Sequence, residues 1–257
     1  MLFTLVDPHV GFEAAYNRWY ERDHFYGGCL IGPWLFAGCR WVSPRSHKDL
    51  RFPSDSVVAS PVRSGSFLAT YFIHKGHEAE HFAWATAQVH ELYGNGRGFD
   101  ERTHAHTALY FHRRDWYRDE DPVPVHLALD HRYAGLVSIH VDRAEGVSAA
   151  DYDDWFESIG APPILAAGSA VSTVCSWRPI IPKLPEGQQA PMDLGSGPGT
   201  PARSAQLWFC DADPSSFWAD VIAHADAVDD SGIGRVVLAA PFIPTVVGTD
   251  SYCDELW

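Results

Sequence analysis

Every longer apolar run in this 257-residue chain is broken by Gly or Pro before it reaches the roughly 18 residues of a membrane-spanning helix. Basic residues are scarce: 19 Lys and Arg face 33 Asp and Glu, for a formal net charge of −14. Such a field repels nucleic acid and anionic membrane surfaces. The five cysteines are odd in number and contain no Cys-x-x-Cys pair, which fits free thiols in a reducing cytoplasm. Met1 to Val6 carry no basic residue before Asp7-Pro8, so no signal peptide is read. There is no GxSxG elbow, no P-loop and no strand-linked GxGxxG, which leaves hydrolase, NTPase and dinucleotide readings without support. What the chain does have is a globular balance, 46% hydrophobic against 20% charged, with 14 His and 10 Trp. A cytoplasmic protein acting on a small molecule is the class that survives.

The chain matches itself. Tyr16-Asn17-Arg18-Trp19-Tyr20-Glu21 aligns with Tyr152-Asp153-Asp154-Trp155-Phe156-Glu157, and Cys39-Arg40-Trp41 with Cys175-Ser176-Trp177, both at an offset of 136. Leu5-Val6-Asp7 aligns with His140-Val141-Asp142 at 135, and Tyr71-Phe72 with Trp208-Phe209 at 137. A near-constant shift over four matches in order reads as a duplicated unit.

Periodicity gives each unit the same layout. In the first, strand Leu2–Val6 leads to a helix Phe12–His24 with Phe12, Ala15, Tyr16, Trp19 and Tyr20 on one apolar stripe. Strands Leu35–Val42 and Phe67–Ile73, helix Glu78–Tyr93 and strand His104–His112 follow. The second unit repeats the order with strand Leu136–Val141, helix Ser148–Ile159, strands Val171–Trp177 and Ala205–Cys210, helix Pro214–Asp229 and strand Arg235–Ala239. This is the ferredoxin-like βαββαβ order. The expected fold class is α+β: two fused ferredoxin-like units whose sheets close into one intramolecular, pseudo-dimeric α/β barrel. The expected domains are 1–116 as the active unit, a linker 117–132, and 133–257 as a degenerate unit. Ser43–Ser64 and Pro179–Arg203 are equivalent insertions, the second read as a loop from its six Pro and four Gly. These loops leave room for a homodimer.

The motif Tyr16-Asn17-Arg18-Trp19-Tyr20-Glu21-Arg22-Asp23-His24, together with the βαββαβ order, resembles the dimeric α/β-barrel superfamily and within it the EthD-like branch. The resemblance covers most of the chain as two copies. It implies a cavity enzyme in which the His closing the first helix, His24, carries chemistry. Members include polyketide cyclases, lactone isomerases, cofactor-free monooxygenases, dehydratases and heme enzymes, so the resemblance implies a class of sites more than one reaction. In the second copy Ile159-Gly160 stands where Asp23-His24 stand in the first, which marks that copy as a structural partner.

Residue chemistry points the same way. His24 has the ordinary pKa of a proton carrier at neutral pH, ~6.5, which places a pH limb in the histidine range; Asp23, adjacent on the helix, points elsewhere. In strand His104–His112, strict alternation sets His104, His106, Ala108, Tyr110 and His112 on one face, read as facing the helices, and Ala105, Thr107, Leu109 and Phe111 on the other. His106 and Tyr110 are then candidates to stabilise an enolate oxygen. His77 and His81 are spaced as a helical metal clamp, but the segment His77-Glu78-Ala79-Glu80-His81 is not HExxH, and a polar helix start is the simpler reading. The remaining cavity candidates are Trp19, Tyr20, Tyr26, Arg40, Tyr71, His74 and Trp84. Arg40, inside a strand, needs a partner, either an acidic substrate group or Asp7 or Asp23.

The expected activity is general acid–base catalysis without organic cofactor or metal, of lyase, isomerase or cyclase type, on a hydrophobic aromatic or polycyclic carbonyl compound. His24 takes the proton, and His106 or Tyr110 meets the oxygen. A heme-binding oxidoreductase or dehydratase of the same superfamily is the first alternative, and a non-catalytic ligand-binding or stress protein the second.

Overall fold

The computed structural model describes residues 1–181 and 192–257. Eight strands run β1 Leu2–Pro8, β2 Leu35–Val42, β3 Phe67–Ile73, β4 Arg102–Tyr117, β5 Gly135–Arg143, β6 Val171–Pro179, β7 Arg203–Cys210 and β8 Gly234–Pro244. They close into an antiparallel barrel in the order β1-β3-β2-β8-β5-β7-β6-β4. The first half supplies the run β4-β1-β3-β2 and the second β8-β5-β7-β6, the same order in each. The helices are α1 Glu13–Trp19, α2 Arg45–Lys48, α3 Glu78–Gly94, α4 Ala149–Trp155, α5 Ala161–Ile164 and α6 Trp218–Asp230.

Period-2 alternation sorts the side chains. Phe3, Leu5, Trp41, Phe72, Leu136 and Phe209 fill the barrel. Val6, Tyr71 and Phe67 turn outward beneath Tyr16 and Tyr20 of the first half. Val137, Ile139 and Trp208 do the same beneath Tyr152 and Phe156 of the second. Among the described residues no helix is long and apolar enough to cross a membrane, and all five cysteines are free.

Four local expectations are corrected. The first helix does not close at His24: after α1 the chain continues as a π-helix, Tyr20–Leu30. The second likewise passes from α4 into a π-helix, Phe156–Gly160, and on into α5. Both π segments begin at residues matched by the offset of 136. Strand β4 is longer than the apolar pattern suggests. Residues up to Leu109 pair with β1, and Tyr110–Tyr117 pair with β6 and seal one seam. Its charged end, Arg113-Arg114-Asp115, lies past the expected strand end at His112, and its arginines are neutralised by acidic groups of the second half. Arg113 pairs with Asp153 at 2.6 Å, and Arg114 with Asp154 and Glu157 at 3.1 and 2.7 Å. Finally, the insertion after β2 is no free loop: its Val58 and Ala59 join the barrel interior. Part of the second insertion, 182–191, lies outside the described residues.

Candidate functional site

Between the outer face of the first-half sheet and its helices lies an apolar cavity of about 120 Å³. Its floor is Leu2, Thr4 and Val6 of β1, Tyr71 of β3, and Arg102, His104, Thr107 and Leu109 of β4. Tyr16, Tyr20, His24, Gly28 and Cys29 form one wall, and His81, Phe82, Ala85, Thr86 and Val89 of α3 another. Met192 and Leu194, from the second insertion, complete it. A second, more polar space of about 200 Å³ lies alongside, bounded by Tyr93, Phe99, Asp100, Thr103 and Asp193. Arg102, His104 and Met192 border both.

His24 enters from the π-helix, a widened turn often found at functional sites. Its ring stacks on Trp19 with centroids 4.5 Å apart and meets Tyr20 edge-on at 5.1 Å. Gly28 makes room for it, since a Cβ there would stand 2.5 Å from Nδ1. Burial, then the Arg102 charge, push the His24 pKa down to about 3. The ring is therefore neutral throughout the ordinary histidine range, which corrects the expected titration near ~6.5. Asp23 is held by Arg97, whose Nε donates to Oδ2 at 3.0 Å, and that guanidinium lowers the carboxyl's pKa.

The alternation of β4 is interrupted. Leu5 pairs with His106 but Val6 with His104, so Ala105 is an extra residue in a β-bulge. The bulge re-phases the strand. His104, Thr107 and Leu109 face the cavity, while His106, Ala108 and Tyr110 point into the barrel. This overturns the expected common face, and it separates His106 and Tyr110 from His24 by the thickness of the sheet. Inside the barrel His106 Nε2 and Tyr110 Oη hydrogen-bond at 2.7 Å, and His106 Nδ1 and Ser196 Oγ at 2.8 Å. Burial lowers the His106 pKa to about 3 and lifts that of Tyr110 above the ordinary phenol range.

The other candidates divide. Tyr20 and Tyr71 line the cavity and share a hydrogen bond of 2.8 Å between hydroxyls. Trp19 backs His24 and donates from Nε1 to Arg97 O at 2.8 Å. Arg40 is spent on protein groups. It donates to Asn17 Oδ1 at 2.8 Å, lies 3.3 Å from Glu21 and covers the Tyr20 ring, so its partner is neither Asp7 nor Asp23. Tyr26 is exposed, His74 is exposed against Phe36, and Trp84 packs beside Gly32 and His81; none borders the cavity. His77 stacks on Trp34 at 3.7 Å, whereas His81 is bonded to Pro33 O at 3.1 Å, so the pair does not converge on an ion. Among the described residues no group of three His, Cys, Asp or Glu side chains could hold a metal.

Sequence reasoning missed Arg102 and Thr107. Arg102 Nε donates to His104 Nε2 at 3.2 Å and Nη2 to Tyr93 Oη at 3.0 Å, with the guanidinium 4.6 Å over the Trp19 ring. Because arginine only donates, His104 Nε2 carries the lone pair and Nδ1 the proton. Nδ1 then donates to Thr107 Oγ1 at 2.8 Å, whose hydroxyl lies 2.8 Å from that of Thr4. Burial and the Arg102 charge hold the His104 pKa at about 3.

In the second half the glycine aligned with His24 is tightly packed. A Cβ on Gly160 would stand 2.9 Å from Phe156, 3.0 Å from Trp155 and 3.3 Å from His224. His224 of α6 packs its ring against Trp155, Phe156 and Trp208.

A heme does not fit the cavity as it stands. Its volume of about 120 Å³ is well below the roughly 300–1,000 Å³ of pockets for cofactor-sized ligands, and its three histidines each belong to a different wall.

No family model matches the sequence, and no curated protein is found similar to it. Among solved structures, the chain is similar to an anthrone oxidase-like protein with a TM-score of 0.55 and 7% identity, over 97% of this chain and 93% of that one. It is similar to a chlorite dismutase candidate, TA0507, with a TM-score of 0.52 and 10% identity, over 100% and 98%. Both have the dimeric α/β-barrel fold, and this chain shares that fold.

Proposed function

We propose that the protein is a cofactor-independent enzyme that removes a proton next to the carbonyl of a small apolar compound, with His24 as the base. The observation that carries this reading is a buried imidazole, His24, packed on Trp19 and Tyr20 and set in the wall of an apolar cavity. The C–H electron pair moves to the carbonyl oxygen as the proton passes to a ring nitrogen of His24. Return of the proton at another position gives isomerisation; loss of a leaving group or attack of the enolate gives the lyase or cyclase outcome. A base with so low a resting pKa is weak, yet its lone pair is free at every pH near neutrality. As the enolate forms beside it, attraction between opposite charges in a dry site raises the imidazolium's pKa and offsets that weakness.

Cavity size narrows the substrate. An apolar cavity of about 150 Å³ holds benzene in another protein, so about 120 Å³ suits a single ring or a short chain in place of the polycyclic body expected from sequence. The shared strand order and paired π-helices support the reading of the halves as two copies of one unit, and the Tyr16–His24 motif the EthD-like assignment. The first copy holds the site, and the second, where His224 packs against Trp155 and Phe156, acts as its structural partner.

Phenylacetone in D₂O, followed by proton NMR, tests the chemistry. Wild type should speed α-deuteration over buffer, and His24→Ala should lose roughly 10²–10⁴ of that acceleration. Equal rates for the two proteins would remove His24 as the base.

A further inference from the structure

Arginine is paired elsewhere around this site. Arg40 has Glu21, Arg97 has Asp23 and Arg18 has Asp250. Arg102 differs. Among the described residues it forms no ion pair; its Nη1 is shut off from solvent with no hydrogen-bond partner, as is Nη2 of Arg40, but Arg40 has the Glu21 carboxylate beside it and Arg102 has none. Two of its other donors are spent on neutral acceptors, His104 and Tyr93. A guanidinium left with an unsatisfied buried donor and no counter-charge is costly, and it is expected where a charged ligand completes it.

Its surroundings keep it ready. The Trp19 ring underlies it at 4.6 Å and His104 fixes Nε. His104 is itself anchored to Thr107, so the fork is held from two sides. Arg102 also stands where the apolar chamber meets the polar space. The titratable groups that face this junction are His24, His81 and His104 from the chamber, and Asp100, Asp193 and Tyr93 from the polar side. Burial works against a positive charge on each of the three histidines. Arg102 is therefore the standing positive charge among the described lining residues. Asp100 and Asp193 would repel a second negative charge.

We propose that Arg102 makes this cavity an anion site: the ligand is a single-ring or short-chain monoanion whose charged oxygen docks on the Arg102 guanidinium while its apolar body fills the chamber. The inference rests on the reading of this cavity as the binding site, and it names the ligand class. A carboxylate present before reaction and an enolate or phenolate oxygen share this chemistry. A substrate carrying both a carboxylate and a carbonyl would place its α-carbon on the His24 side of the chamber.

Isothermal titration with phenylacetate and with its neutral isostere phenylacetamide tests the proposal, and phenol at pH 7 and pH 10.5 separates the carboxylate from the phenolate source. Wild type should bind phenylacetate about 10- to 100-fold more tightly than the amide, as expected of a charge-assisted hydrogen bond. Arg102→Met should abolish that preference, and Arg102→Lys should keep part of it. Equal affinity of wild type for acid and amide would overturn the proposal with no variant needed, as would a preference that survives in Arg102→Met. A preserved preference without α-deuteration would sink the proton-abstraction reading and leave the anion site standing.

Discussion

At the scale of the residue, the site depends on how burial treats histidine. His24 keeps its lone pair because the imidazolium loses its hydration and feels Arg102. The deuteration rate should therefore be flat from about pH 8 down to pH 5 and fall only as pH nears the lowered pKa. A limb near pH 6.5 that disappears in His24→Ala would show a solvated ring instead. Gly160 supplies the opposite case. A Cβ there would crowd Phe156, Trp155 and His224, so Gly160→Ala overpacks the second half and should cost about 1–3 kcal/mol in a denaturant melt. Activity measured below the melt should stay unchanged, since no cavity-lining residue is touched; a loss of activity with full stability would place a working site in the second half.

At the scale of the element, β4 shows what one extra residue does. The strand was legible from its alternation, and so was the chemistry of its side chains. The bulge at Ala105 was not, because nothing in Thr103-His104-Ala105-His106 distinguishes a bulge from a regular ladder. Two of the three residues assigned to catalysis consequently lie in the barrel. The π-helix was equally hidden: Tyr16 and Tyr20 marked the buried face, but the turn that widens after Trp19 brings His24 onto the wall together with Gly28. Arg102 escaped notice because it precedes the alternating segment and its role arises from contacts with Trp19, Tyr93 and His104. The loop after β6 is fastened where Ser196 Oγ meets His106 and donates to Val58 O at 2.7 Å. Ser196→Ala leaves His106 Nδ1 and that carbonyl without partners. It should lower stability by about 1–3 kcal/mol, read as a shifted denaturant midpoint at constant slope. An unchanged midpoint would mean that water replaces the hydroxyl.

At the scale of the molecule, the observed runs β4-β1-β3-β2 and β8-β5-β7-β6 have the order that a βαββαβ arrangement of each half would give. The closed barrel also buries histidines on both faces of its sheet. Burial holds the pKa values of His104 and His106 at about 3, that of His224 at about 4, and that of His140 well below its ordinary value. The unfolded chain takes up these protons first, so their neutral burial costs no stability above about pH 7. Stability then falls as pH drops through 6.5 toward the folded-state values, by up to about 1.4 kcal/mol per pH unit for each histidine. Thermal melts should show Tm falling steeply between pH 6.5 and pH 4.5; a constant Tm over that range would contradict neutral burial. The central claim is one working cavity, on the first-half side of a single-chain barrel. A crystal structure with phenylacetone bound tests it most directly. The ring should lie between β4 and α3, with the α-carbon about 3–3.5 Å from a ring nitrogen of His24. Ligand found inside the barrel beside His106 and Tyr110, or beneath α6 beside His224, would contradict it.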